Sequence, residues 1–311
     1  MRGLFAVYRK ELADQLSSRR FLILFALICL AGLSSVYTAA QSIRQEISDA
    51  HGVFLLLFTT ASGPLPPFYT FIGFLGPLVG LALAFDSINS ERNRGTLARL
   101  LAQPIYRDAV INGKFLAAFV TVGLMLVSIV VIVSALGIRI LGVIPTPEEL
   151  LRVGAFLIVC VLYVGFWLAL ATALSVVLRN TATAALAGIA AWIVFTFFVT
   201  MIADAIAGAL LQASTTFDPQ ALLQLENLRM MLARLSPNTL FQEATIAILM
   251  PKVRTLGPLL ITEAIGMVPN PLPVRDSLLL VWPQVVGLLA LTSICFAFAY
   301  IKFMTQEIRA L

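Results

Sequence analysis

Six long apolar runs separated by polar connections set the outline of this chain. They run Phe21 to Ala40, Phe68 to Phe85, Phe115 to Ile138, Val153 to Leu178, Ala182 to Leu211 and Leu278 to Phe303. A helix needs about 20 mostly apolar residues to cross a bilayer core, and each run is close to that length or longer. Only Asp204 interrupts the fifth run, and Lys302 sits near the end of the sixth. The expected fold is an all-α membrane protein with six transmembrane helices, its spans at 21–40, 68–86, 115–138, 153–178, 182–211 and 278–303. His51 to Ala61 is also apolar but about half the length of a span, so it is read as an extracytoplasmic or re-entrant piece. A seventh span there would invert the rest of the topology. The first run exceeds the roughly 7–15 residues of a signal-peptide core and has no small-x-small step after it, so it is expected to stay in the protein.

The connections carry patterns of their own. In the first twenty residues, Leu4, Tyr8, Leu12 and Leu16 recur every fourth position with Phe5 beside them, while Arg9, Lys10 and Asp14 face away. That spacing predicts an amphipathic helix lying in the membrane interface. Between spans two and three, residues 87–114 include a break at Gly95 and a hydroxyl at Thr96 able to accept a backbone N–H at a new helix start. Leu97, Leu100 and Leu101 then make a short apolar face, Pro104 ends it, and Asp108 opens the helix leading through Lys114 into span three. The result is a short crosswise helix that offers leucines to something docking there. Residues 212–277 predict two more helices, one begun by Asp218-Pro219 with Ala221, Leu225, Leu228, Leu232 and Leu235 on one face, the other begun by Ser236-Pro237. This segment is expected to fold on the extracytoplasmic surface.

Composition supports the membrane assignment and charge gives it a direction. Of 311 residues, 60% are apolar and 12% charged, against about 25% charged in soluble domains. Basic residues collect at Arg2, Arg9, Lys10, Arg19 and Arg20, and again at Arg92, Arg94, Arg99, Arg107 and Lys114. The opposite connections offer Arg44, Arg139 and Arg152. Lysine and arginine mark cytoplasmic connections, so both termini are expected in the cytoplasm. That bias also accounts for the net charge of +5, with no nucleic-acid partner required.

Glu91, Gly95-Thr96-Leu97, Pro104, Arg107 and Gly113-Lys114, in ERNRGTLARLLAQPIYRDAVINGKF, resemble the signature of type-2 ABC exporter permeases. YRKELADQLSSRRF resembles that family's elbow helix, LSVVLRNTATAALAG its turn between spans four and five, and SPNTLFQEAT its segment before the last span. Within the family, the chain is similar to permeases of nitrous-oxide-reductase maturation transporters. The resemblance implies a permease subunit in a prokaryotic inner membrane. Two permease chains pair as a likeness of one another, and two separate ABC ATPase subunits hold ATP and magnesium; this chain binds no cofactor. Under it, Glu91, Arg94, Gly95, Thr96, Leu97, Leu100, Leu101, Pro104 and Arg107 couple to the ATPase. Residues 1–20 form the elbow helix, whose Arg9, Lys10 and Glu11 help to transmit motion. Gly73, Gly76, Pro77, Gly80, Ala184 and Gly188 become candidates for the central path or the dimer contact, as spans two and five line that path in the family.

Other classes fit less well. No G-x-x-x-x-G-K-[ST] occurs: Gly113-Lys114 is followed by Phe115, so nucleotide hydrolysis is expected in another chain. A proton-coupled carrier usually places ionisable groups at mid-membrane, and the centres of all six runs lack them. A zinc hydrolase of the H-E-x-x-H kind needs two histidines, and His51 stands alone. Glu148, Glu149 and Arg152 faintly resemble an intramembrane glutamate protease, but acids there suit the start of span four. Cys29, Cys160 and Cys295 lie inside apolar runs with no paired spacing. A charge-free bundle suits a hydrophobic or amphipathic cargo, and equally a mechanical transmitter acting on an extracytoplasmic partner.

Overall fold

The computed structural model describes residues 2–46, 53–61, 64–96, 106–213, 219–257 and 271–306. Every element among them is helical: α1 (Arg2–Leu16), α2 (Arg19–Glu46), α3 (Val53–Thr59), α4 (Phe68–Ala84), α5 (Asn89–Asn93), α6 (Arg107–Leu141), α7 (Pro147–Val177), α8 (Thr181–Ile193), α9 (Val199–Ala213), α10 (Pro219–Ala233), α11 (Pro237–Leu249) and α12 (Val274–Thr305). A π-turn, Val194–Phe198, joins α8 to α9 into one long rod. Six helical stretches are long and apolar enough to cross a membrane: Arg19–Arg44, Phe68–Asn93, Arg107–Leu141, Pro147–Val177, Thr181–Leu210 and Val274–Thr305. They coincide with the six expected spans.

Span four, α7, is the axis of the bundle and its most buried rod, with α4, α6, α11 and α12 packed around it. Its start is built by a capping box in which the Thr146 hydroxyl accepts from Glu149 N at 3.3 Å and the Glu149 carboxylate accepts from Thr146 N at 2.8 Å. The expectation that these acids initiate span four is met. Farther along, Phe58, Phe68 and Phe156 meet edge to face, and Tyr163 stacks on Phe241 with ring centroids 4.4 Å apart. The short α3 is buried against α2 and α11; at seven residues it spans about 10 Å and cannot cross a bilayer.

Two breaks in the spans are satisfied by side chains from elsewhere. Pro77 has no N–H, which strands the Gly73 carbonyl one turn earlier in α4. The Tyr163 hydroxyl donates to that carbonyl at 2.7 Å. Replacing Tyr163 with phenylalanine leaves a buried acceptor unmet and should lower stability by about 1–3 kcal/mol. Thermal unfolding in detergent measures it, and an unchanged midpoint means the carbonyl has found another donor. At the π-turn of span five, the Phe195 carbonyl accepts from Ser236 Oγ at 2.5 Å, and the same oxygen caps α11 by accepting from Asn238 N.

Residues 212–277 were expected to lie on the outer surface, and their two halves differ. α10 pairs chiefly with α9 among the described elements, with Arg229 and the exposed Asp204 2.6 Å apart. α11 instead packs its apolar face between α4, α7 and α12, reaching Tyr163 midway along span four. It carries a carboxylate inward: Glu243 accepts from Gln284 Nε2 at 2.9 Å and from Arg234 Nε at 2.9 Å. Gln284 lies about 15 Å along α12 from its start.

Candidate functional site

α1 and the end of α12 lie at one end of the bundle: α1 packs on the first turns of α6, where Arg107 donates to the carbonyl of Gln306 just past α12. The polar structure there begins with the way span two stops. α4 ends at Ala84, the chain turns through 85–88, and the Ser175 hydroxyl of α7 accepts from Ile88 N at 3.0 Å and Asn89 N at 3.2 Å. That hydroxyl starts α5. α5 ends at Asn93, and two residues on stands Gly95, whose φ of +69° suits glycine and is strained for an L side chain. The expected helix break is therefore present.

The Thr96 hydroxyl donates to the Glu91 carbonyl at 3.2 Å, just past the end of α5. The residues whose backbone N–H groups it is expected to cap lie outside the described residues. Leu97, Leu100, Leu101 and Pro104 lie outside the described residues. Asp108 falls in the first turn of α6, accepting from Ala109 N at 2.8 Å, with Tyr106 at the cap position.

α1 lies along the first turns of α6 with Leu4, Tyr8 and Leu12 of the expected stripe part-buried, and with Val7 and Glu11 beside them on the packed side. Val7 is buried and Phe5 and Leu16 are exposed. Close approach fixes the rotation: a Cβ at Gly113 would stand 2.9 Å from Val7 Cγ1 and 3.3 Å from the Leu4 carbonyl. That rotation brings Glu11 inward. Lys114 Nζ donates to Glu11 Oε1 at 2.9 Å and to Glu91 Oε1 at 2.8 Å, joining α1, α5 and α6 on one ammonium. The three side chains are 6%, 13% and 17% exposed, so the junction is largely withdrawn from water. Glu91 Oε2 is buried with no partner among the described residues.

Around the junction, Arg20 of α2 meets Asp86 at 2.6 Å, and Lys10 lies 3.4 Å from Glu11 and 3.6 Å from Asp14. Burial draws the Lys10 ammonium down, but the carboxylates of Glu11 and Asp14 outweigh it, and its pKa stands above the ordinary value. Arg94 is exposed and lines, with Arg19 and Asp86, a cavity of about 500 Å³ beside the junction. Arg9 is exposed over the Phe5 ring. Of the site residues read from sequence, the structure therefore brings Glu11 and Glu91 together and leaves Arg9, Arg94 and Arg107 at the rim. The sequence named Lys114 as part of a Gly-Lys pair without assigning it a role; a lysine opening an apolar run was the available signal.

The small residues of spans two and five pack within the chain. A Cβ at Gly76 would meet Val164, one at Gly80 the α7 backbone, one at Gly73 Phe241, and one at Gly188 Leu81. Ala184 is fully buried as well. At the far end stands Arg152, which the sequence reading counted among the basic residues of the opposite connections and weighed, with Glu148 and Glu149, only as a faint protease likeness. It is 1% exposed and donates to Ile248 O at 2.8 Å, Ser277 Oγ at 3.1 Å, Glu148 Oε1 at 3.0 Å and the carbonyl of Leu272. Beside it, Glu149 accepts from Phe54 N of α3.

A profile of ABC-2 family transporter proteins matches residues 5–308. The chain is 31% identical over 198 residues to the probable ABC transporter permease protein NosY of Pseudomonas aeruginosa, covering 61% of this chain and 65% of that protein. It is 30% identical over 115 residues to the probable ABC transporter permease protein NosY of Stutzerimonas stutzeri, covering 37% of this chain and 38% of that protein. Each match spans less than two thirds of the relative's length. The profile runs from within α1 to beyond the end of α12, taking in all six spans and the junction at Lys114, and the chain belongs to the ABC-2 family of transporter proteins.

Proposed function

We propose that this chain is the permease subunit of an ATP-driven exporter in the cytoplasmic membrane of a prokaryote, with both termini in the cytoplasm. Two copies pair as a homodimer. Two separate ABC ATPase subunits, which carry the ATP and magnesium, dock on the crosswise segment Thr96 to Ala102, with Leu97, Leu100 and Leu101 as the apolar contact. The observation that carries the reading is the junction at Lys114: the short helix ahead of Gly95, the terminal helix and the start of span three share one buried ammonium. A pull on the segment after Gly95 thereby reaches two transmembrane rods and α1. The names of the two relatives, both ABC transporter permease proteins, point the same way.

The cargo class that suits charge-free span centres is hydrophobic or amphipathic. A second reading, mechanical action on an extracytoplasmic partner, draws on α11, which ties residues beyond span five directly to spans two, four and six. Replacing Leu97, Leu100 and Leu101 together with serine should abolish co-purification of the ATPase while the permease still inserts. Normal co-purification of that triple variant sinks the docking assignment.

A further inference from the structure

The Lys114 junction has an uneven construction. α1 and α6 are pressed together by packing at Gly113, so their contact survives without charge. α5 is different. It is a five-residue helix held at its start by Ser175 and by Ile88, which shares a buried apolar cluster with Val110 and Ile111 of α6, followed at its end by Thr96, and bonded to Lys114 through Glu91 Oε1. A buried ion pair adds little net stability, because desolvation offsets most of the attraction. What it does supply is a short, directional link between α5, α6 and α1.

The spare groups around the junction fit movement. Glu91 keeps its second oxygen without a partner among the described residues, so its carboxylate has a second oxygen that can hold Lys114 if it turns. Glu11 Oε1 has a second cation in reach, Lys10 Nζ at 3.4 Å, which can take over if Lys114 withdraws. We propose that Lys114 is the positioning residue that relays displacement of the segment after Gly95 to α1, with Glu91 as the input arm and Glu11 as the output arm. This rests on the ATP-coupled reading above and adds to it the route by which the terminal helix is driven.

The test uses the full-length chain in complex with its ATPase, with amide hydrogen exchange read by mass spectrometry before and after addition of ATP and vanadate. In the wild-type complex, exchange should change both in residues 86–96 and in residues 2–16. In Glu11→Gln the change at 86–96 should persist and the change at 2–16 should be lost. Glu91→Gln should likewise lose the response at 2–16, and Lys114→Arg, which keeps the cation, should retain both. Should Glu11→Gln fail to co-purify with the ATPase, Glu11→Asp, which keeps the charge but draws the oxygen back, carries the same expectation in weaker form. A response at 2–16 in Glu11→Gln equal to wild type overturns the relay while leaving ATP coupling intact. Silence at both segments in the wild-type complex overturns the ATP-coupled reading and the relay with it.

Discussion

Replacing Arg152 with methionine should cost the fold about 2–4 kcal/mol, most of it from stranded carbonyls rather than from a lost ion pair. The guanidinium donates to Ile248 O in the last turn of α11, to Leu272 O ahead of α12, and to Ser277 Oγ in the first turn of α12. Ile248 lies too close to the end of α11 to have an intrahelical donor, so Arg152 is its cap, placed where the helix dipole favours a cation. Methionine fills the space and bonds nothing. Each buried acceptor left unmet costs roughly 1–3 kcal/mol, reduced here because the end of the bundle can admit some water. Glu148, by contrast, is 56% exposed and can rehydrate, so Glu148→Gln should change stability by less than about 1 kcal/mol. Arg152→Lys keeps the charge but cannot span all the acceptors, and should fall between the two. Thermal unfolding of the three purified variants in one detergent ranks them. Equal losses in Arg152→Met and Glu148→Gln would mean that the ion pair, not the carbonyl clamp, holds α7, α11 and α12 together.

The spans were legible because each must supply about 20 apolar residues in a row, and no other fold demands that. Which face of a span meets protein was not, since a lipid-facing and a protein-facing position are both apolar. α1 illustrates the same limit. Its every-fourth stripe placed Leu4, Tyr8 and Leu12 on the packed side but missed Val7 and Glu11, which turn inward because Gly113 lets α1 dock closely and Lys114 draws the carboxylate toward it. Neither partner of Lys114 could be read from local pattern, as they lie 103 and 23 residues away in the chain. α11 was visible as a proline-started helix but not as a helix within the bundle. Its polar positions look solvent-directed until Asn238 is found near the Tyr163 hydroxyl and Glu243 against Gln284. Motif reading fared better where backbone chemistry is local. The glycine stop at Gly95 and the acidic start of span four at Glu149 are both where spacing placed them.

A single methyl group at Gly80 should separate spans two and four, with a loss of about 1–3 kcal/mol. An alanine Cβ there would stand 2.8 Å from the Val164 carbonyl oxygen, 2.9 Å from Trp167 Cβ and 3.0 Å from Leu168 N. All three belong to the α7 backbone or its first side-chain carbon, so no rotamer change relieves the clash and α4 itself has to move away. In a membrane, spans are held by close van der Waals contact rather than by expulsion of water, so a lost approach is not offset by burial elsewhere. The other glycines provide an internal scale. At Gly188 the added methyl meets the far end of the Leu81 side chain, which can swing aside, and Gly188→Ala should be nearly neutral. At Gly123, inside α6, nothing lies within 4 Å, so Gly123→Ala should gain up to about 1 kcal/mol from helix propensity alone. Unfolding midpoints in detergent should therefore order Gly123→Ala highest and Gly80→Ala lowest. If Gly80→Ala is as stable as Gly188→Ala, the stripe from Gly73 to Gly80 does not seat span two on span four, and those glycines become free to serve a second copy of the chain.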